Sequence, residues 1–400
     1  MADFFQGAGT SPAVPFRLIV TGGGTGGHTY PALTAVRTLQ ARLATAGRPL
    51  DVLWVGTASG LEARVAAAEG IPFVEVATGK IRRSKNPLKL VSPANVKDMT
   101  NVPRGVSQAR RIVADFRPDV VLATGGYVAV PVGLAAKLCR RPLVVHEQTV
   151  RLGLANKALA RAAAVFAVSS ESTLSLLPEA ARASAVVTGN PVRPEVLAGQ
   201  AEKAVEALSL TGFDRSLPTV YVTGGAQGSA QINQTVGGIL PWLLGHANVI
   251  HQCGEANLSA MRELAATLPP ALAARYYLTG FVGSELPDVL ALADVVISRS
   301  GAGTIAELTA LGKAAVFIPL ASSAGNEQAH NARHLQDAGA AVALLDEVSP
   351  ASLQAAVGPL LTDGVRRAGV AERARAHGRP DAAERLVDAV LSAVGQPSGR

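Results

Sequence analysis

The sequence is poor in cysteine, in aromatic residues and in long apolar runs, and each shortage excludes something. Its two cysteines, Cys139 and Cys253, lie far apart in no ligand or redox spacing. That rules against a disulfide framework or a zinc ribbon and fits a reducing compartment. Aromatics make up 4% of the chain, too few for a platform on which nucleic-acid bases stack. No apolar run reaches the roughly eighteen residues of a membrane span, and residues 1–15 have neither the basic nor the apolar region of a secretory signal. That opening segment reads as a loose leader with no fold of its own. The tripeptide D-x-D is absent as well, so no obvious carboxylate pair is available to hold a metal-bridged diphosphate.

Small aliphatic residues are what the chain does contain: hydrophobic content is 48%, charged content 17%, and there are 40 glycines in 400 residues. Such a composition suits helices packed closely on sheets, and the length exceeds what one core usually serves. Two α/β domains are expected. The net charge of +7 is unevenly placed. Between residues 79 and 113, Lys80, Arg82, Arg83, Lys85, Lys89, Lys97, Arg104, Arg110 and Arg111 face Asp98 alone. Leu88, Leu90 and Val91 are interspersed, with no aromatic among them. The segment suits an anionic lipid surface better than a nucleic acid, although an ordinary solvated basic face has the same composition.

Apolar runs alternate with Ala-rich helical stretches in the manner of parallel sheets covered on both faces. Strands are expected at residues 17–20, 51–55, 119–123, 143–146, 165–168 and 185–188, and again at 247–251, 295–298, 314–318 and 341–344. A helix follows the first strand, with Leu33, Val36, Leu39 and Leu43 on one stripe. "VTGG" occurs at residues 20–23 and again at 222–225, each time between a strand and a helix. The grammar thus restarts halfway. The boundaries read as a leader at 1–15, domains at 16–190 and 191–379, and a final helical segment at 380–400 able to pack on either half.

"TGGGTGGH" satisfies the G-x-G-x-x-G spacing of a dinucleotide site, but the next strand ends "VLWVGTASG" without the carboxylate that would hold a ribose. A nicotinamide enzyme is therefore disfavoured. His28, directly after the glycines, is a candidate general base or else a helix cap; His146 and Glu147 form a second polar pair at a strand tip. In the second half, Gly224 to Gly228 and Ser300 to Thr304 are amide-rich turns that suit phosphates. Arg193 and Arg299 are cations for a leaving diphosphate. Glu307 suits ribose hydroxyls, or simply favours the helix dipole behind a Thr304 cap. His330 and His334, one turn apart without a third ligand, read as a solvated helix face rather than a metal site.

Taken in order, "GGTGGH", "ATGGYVAVP", "VVHEQ", "LANKALA", "GNPVR", "GGAQG", "SRSGAGTIAEL", "NEQAHNA" and "PDAAERL" resemble the MurG family across residues 16 to about 390. That resemblance implies a GT-B fold and inverting transfer of N-acetylglucosamine without metal or cofactor. The donor would be UDP-N-acetylglucosamine and the acceptor undecaprenyl-diphosphate muramyl-pentapeptide. It further implies peripheral attachment to the cytoplasmic face of the membrane and cell-wall synthesis proteins as partners. By the same resemblance, His28 is the base, and Thr25, Gly26 and Gly27 line the site of the transferred sugar. Tyr127, Glu147 and Asn156 join the substrate-binding set. Arg193, Ala226, Gln227, Gly228, Ala302, Gly303, Thr304, Glu307 and Gln328 hold the donor, and Phe281 and Val282 read uracil. Three positions depart from the family pattern: Thr149 replaces an asparagine, Ala226 a serine and Glu327 a glutamine. A UDP-sugar epimerase and a non-catalytic UDP-sugar sensor are the rival readings.

Overall fold

A computed structural model describes residues 14–79 and 93–394, the side chains of 93–100 and 324 excepted. Residues 1–13 of the expected leader, 80–92 of the basic stretch and 395–400 lie outside the described residues. The chain divides into two compact units, one of Met1–Glu147, Leu152–Thr188 and Ala383–Arg400, the other of Gln148–Arg151 and Gly189–Ala382.

In the first unit, runs rich in Val, Leu and Ile form β1 (Phe16–Thr21), β2 (Leu50–Gly56), β3 (Phe73–Glu75), β4 (Val120–Ala123), β5 (Leu143–Glu147), β6 (Val165–Val168) and β7 (Ala185–Val187). Among the described residues they make a seven-stranded sheet, ordered β3-β2-β1-β4-β5-β6-β7, with every pairing parallel. Both faces are covered, so the strands are apolar on both sides rather than alternating. Ile19, Val121 and Val145 enter one core layer, whereas Leu18, Val20, Leu122 and Val144 enter the other.

That second layer also contains Leu33, Val36 and Leu39 of helix Gly26–Thr45 and Leu386, Val387 and Val390 of helix Ala382–Ala393. Burial of those three aliphatic side chains, each worth about 1.5–3 kcal/mol, is what draws the last helix to the first sheet. Arg42 pairs with Asp388 at its rim.

The second unit repeats the plan with β8 (Thr219–Thr223), β9 (Asn248–Gln252), β10 (Tyr276–Thr279), β11 (Val295–Ser298), β12 (Ala314–Phe317) and β13 (Val342–Ala343). Its six-stranded parallel sheet has the order β10-β9-β8-β11-β12-β13. Both sheets reverse their direction of growth once, between β1 and β4 and between β8 and β11. The carboxyl ends of those strands are the switch points at which open parallel sheets bind ligands. The expectation of two parallel-sheet α/β domains is met.

The edge strands β3 and β10 were not expected from the apolar runs. Neither has a fully buried residue, because an edge strand is sheltered on one side only, and its sequence reads as mixed. No helix among the described residues is long and apolar enough to cross a membrane.

Candidate active site

At the first switch point, β1 runs through a glycine loop into helix Gly26–Thr45, whose N-cap is Thr25 without a side-chain cap bond. His28 is therefore the third residue of the helix and not its cap. The loop after β4 closes on it: Gly23 N–H donates to Gly125 O at 3.3 Å, and Thr124 Oγ1 donates to His28 O at 2.9 Å. A Cβ on Gly125 would come 3.0 Å from the His28 ring and 3.5 Å from Asn156 Nδ2. Only glycine lets His28 and Asn156 both approach this backbone. Tyr127, two residues on, is exposed.

Glu147 ends β5 fully inside the fold. Its Oε2 accepts from Gly153 N–H at 2.8 Å and from Asn156 Nδ2 at 3.0 Å, and the same Nδ2 donates to His146 O at 3.1 Å. Asn156 Oδ1 is buried without a protein hydrogen bond among the described residues, an acceptor that a ligand donor would satisfy. His28, Glu147 and Asn156 are thus brought to one end of the first sheet, with Thr25, Gly26 and Gly27 at the start of the helix beside them.

Glu62, passed over in the sequence, is also part of this end. It is fully buried and accepts from Gly24 N–H at 3.0 Å, Thr57 N–H at 3.1 Å and Thr57 Oγ1 at 2.7 Å. Burial alone pushes its carboxyl up, but the hydrogen bonds from Thr57 and the Gly24 amide outweigh that and hold it below the usual glutamate range. It ties the glycine loop to the loop after β2. The "GTASGLE" string was its signal, since Gly23 and Gly60 have no room for a Cβ beside this carboxylate.

At the second switch point, the turn Gly224–Gly228 links β8 to helix Ala230–Gly237. Gly225 N–H donates to Thr223 Oγ1 at 3.0 Å and Gly228 N–H to Gly225 O at 2.9 Å. The Ala226 and Gln227 amides have no protein acceptor among the described residues. Across from it, β11 leads into helix Ala302–Leu311, which starts at Gly301 with no side-chain cap and no acidic residue in its first turn. Thr304 does not cap this helix. The amides of Ala302, Gly303 and Thr304 are left for a ligand, and their dipole favours an anion.

Glu307 lies one turn further along. Arg193 donates to its Oε1 from Nε at 3.0 Å and from Nη2 at 2.8 Å. Burial raises the Glu307 carboxyl, and the Arg193 charge and hydrogen bonds oppose that rise only in part. Arg299 is differently placed. Its guanidinium donates to Ser229 Oγ, Gln231 Oε1, Ile318 O and Pro319 O, so it holds the start of helix Ala230–Gly237 against the end of β12. Gln328 Oε1 accepts from Leu320 N–H at 2.9 Å.

Phe281 is exposed and Val282 buried; Val282 N–H donates to Gln252 Oε1 at 2.9 Å and Phe281 O accepts from Thr279 Oγ1 at 3.1 Å. His330 lies 3.1 Å from Arg151, and the His334 ring stacks edge-on against His377. Among the described residues no group of three or more His, Cys, Asp or Glu side chains converges as a metal site would require.

Residues 18–168 match the glycosyltransferase family 28 N-terminal domain and residues 219–386 the family's C-terminal domain. The chain is 36% identical over 377 residues to the UDP-N-acetylglucosamine--N-acetylmuramyl-(pentapeptide) pyrophosphoryl-undecaprenol N-acetylglucosamine transferase of Listeria welshimeri, covering 94% of this chain and 99% of that one. The solved structure of Acinetobacter baumannii MurG matches with a TM-score of 0.72 at 28% identity, over 94% of this chain and 100% of that one. The chain belongs to the MurG family.

A transferase of the same name from Desulforudis audaxviator is 35% identical over 95% of the chain and 99% of its own length. The UDP-GlcNAc 2-epimerase of Neisseria meningitidis, at 15% identity and a TM-score of 0.60, shares the fold alone. Within this MurG-family chain, then, the expected residues sort by unit. Thr25, Gly26, Gly27, His28, Tyr127, Glu147 and Asn156 belong to the first; Arg193, the two amide turns, Glu307, Gln328, Phe281 and Val282 belong to the second.

Proposed function

We propose that the chain transfers N-acetylglucosamine from UDP-N-acetylglucosamine to the 4-hydroxyl of undecaprenyl-diphosphate-linked muramyl-pentapeptide, making a β-1,4 bond with inversion and without a metal. The observation that carries this reading is the pair of turns with amides left open, at 226–227 and at the uncapped helix start 302–304, that share one switch point with the Arg193–Glu307 pair. Together they suit the two phosphates and the ribose of a nucleoside diphosphate. The Listeria and Desulforudis transferases, similar over nearly their whole lengths, supply the sugar and the acceptor.

In the reaction, His28 takes the proton of the acceptor hydroxyl as its oxygen bonds to C1 of the sugar. The bond from C1 to the β-phosphate oxygen breaks, and the electron pair leaves with UDP. Attack from the face opposite the diphosphate inverts the anomeric centre. The amides of Ala226, Gln227 and residues 302–304 stabilise the departing charge, aided by Arg193, which is electrostatic stabilisation by preset dipoles. Glu307 Oε2 accepts from the ribose, Gln328 contacts the donor, and the 281–282 segment lies under the base. Tyr127, Glu147 and Asn156 position the acceptor. The basic stretch 79–113 holds the protein to the anionic cytoplasmic face of the membrane, where the acceptor resides and other cell-wall synthesis proteins gather.

The test is UDP release from UDP-N-acetylglucosamine with and without a short-chain analogue of the lipid acceptor. Release that depends on the acceptor, with a disaccharide product, supports the transferase; release independent of it overturns the reading, as does no release, with conversion of the UDP-sugar to its epimer favouring an epimerase and no conversion a sensor.

A further inference from the structure

Gln252 is the last residue of β9, paired in register with Thr223 of β8 and Thr279 of β10. It is only 4% exposed. Its side-chain amide makes four hydrogen bonds. Nε2 donates to Gly225 O at 2.8 Å and to Thr223 Oγ1 at 3.2 Å; Oε1 accepts from Val282 N–H at 2.9 Å and from Tyr221 OH at 3.4 Å. An amide has two donors and two lone pairs, so its capacity is filled. The orientation is also fixed, because Gly225 O can only accept and Val282 N–H can only donate.

These partners belong to two different binding elements. Gly225 and Thr223 define the phosphate turn: Gly225 sits at φ +87°, its N–H is held by Thr223 Oγ1, and its carbonyl is held by Gln252. Val282 belongs to the segment whose preceding residue, Phe281, is 54% exposed beside it. One buried amide therefore spans the distance between the element that meets phosphate and the element that meets the base.

We propose that Gln252 is a positioning residue that sets the spacing between the phosphate turn 224–228 and the base segment 281–282, so that the site fits a nucleoside diphosphate as one unit. This rests on the donor-site reading above. A Gln252→Glu variant keeps the acceptor that meets Val282 N–H but replaces the Nε2 donor with a carboxyl oxygen against Gly225 O. The phosphate turn is released while the base segment stays held. Gln252→Met keeps the volume and removes all four bonds.

The experiment titrates UDP, uridine and inorganic pyrophosphate calorimetrically into the full-length wild type, Gln252→Glu and Gln252→Met, alongside steady-state kinetics with UDP-N-acetylglucosamine. The expected result is a UDP Kd raised at least tenfold in both variants. Donor KM rises in step and by more than any fall in kcat. Uridine binding falls less in Gln252→Glu than in Gln252→Met. A residue that only braces the fold would lower melting temperature and active fraction with Kd and KM unmoved. Folded variants whose UDP Kd and donor KM stay within twofold of wild type overturn the inference. Should either variant fail to fold, Thr223→Val removes one Gln252 bond, together with the acceptor of Gly225 N–H, at the half-buried end of β8. The same rise in UDP Kd is then expected, and an unchanged value overturns the inference. A wild type that binds no UDP removes the donor-site reading itself, a result distinct from wild-type binding with unaffected variants.

Discussion

Arg193 gives both of its hydrogen bonds, at 3.0 and 2.8 Å, to the same oxygen of Glu307, and Oε2 has no protein donor among the described residues. A pair built only for stability would use both oxygens, as bidentate arginine–carboxylate pairs do. This one leaves Oε2 free to accept from a ligand, and burial of the side chain raises the carboxyl. Because the folded-state pKa lies above the unfolded one, the group's contribution to stability is fully present below the ordinary glutamate value. It is lost as pH rises through the folded value. Glu307→Gln removes that loss. Thermal melts at acidic and neutral pH should show the variant gaining on wild type as pH rises, while calorimetry shows UDP affinity down about tenfold, or ~1.4 kcal/mol.

His28 stands in the first unit and the proposed donor contacts in the second, so the proposal predicts that chemistry and donor binding are lost separately. His28→Ala should lower kcat by about 10² to 10⁴, the range for a positioned general base. UDP Kd should stay within twofold. A UDP-release assay with acceptor reads the first quantity and calorimetry the second; a parallel loss of both would place His28 in donor binding instead.

Glu62 shows what was legible in the sequence and what was not. The central strands were readable because a strand buried on both faces is a nearly continuous aliphatic run, as in Val120–Ala123 and Val295–Ser298. The glycine turns were readable because they follow those runs directly. Gln252 was not, and Glu62 only through its local bonds from Thr57, since the partners that tie distant loops lie 38 residues away for Gly24 and 30 for Val282. No local spacing encodes such pairs. The same reason hid the brace that Arg299 forms between Ser229, Gln231 and the end of β12.

Removing the Glu62 charge tests its part directly. Its folded carboxyl lies below the ordinary glutamate value, so its contribution is present above that value and is lost as pH falls through the folded one. Glu62→Gln should cost about 1–3 kcal/mol at neutral pH, the range for disturbing buried hydrogen-bonded groups. Urea titrations should show the gap between variant and wild type closing as the pH is lowered through the carboxylate range. A gap independent of pH would mean that shape, not charge, matters at this position.

Two glycines of the phosphate turn should respond differently to alanine. Gly225 has φ +87° and open space where a Cβ would go, whereas at Gly228, with φ +72°, the Cβ would fall 1.9 Å from Cys253 O. Gly225→Ala meets only the left-handed penalty of about 1–2 kcal/mol. A drop of roughly 2–8 °C in melting temperature follows for a domain of this size. Gly228→Ala must push apart the backbones after β8 and β9, so a larger drop or loss of soluble protein is expected. Equal melting temperatures would show that the turn yields more easily than its contacts suggest.

The basic stretch makes the last prediction, and its charge density sets the magnitude. Each Lys or Arg near an anionic bilayer is worth about 1 kcal/mol. Reversing Lys80, Arg82, Arg83 and Lys85 to glutamate should therefore weaken binding to phosphatidylserine-containing vesicles by roughly 4 kcal/mol or more, about a thousandfold. Screening shortens the reach of these charges as ionic strength rises, so wild-type binding should itself fall with salt and the two proteins should converge. Co-sedimentation at low and high salt measures both trends. UDP binding should be unaltered, since these lysines and arginines lie in the half of the sequence that does not contain the donor turns. If the reversed protein sediments with vesicles as well as wild type at low salt, the charge of this segment is a solvated face and the membrane contact lies elsewhere.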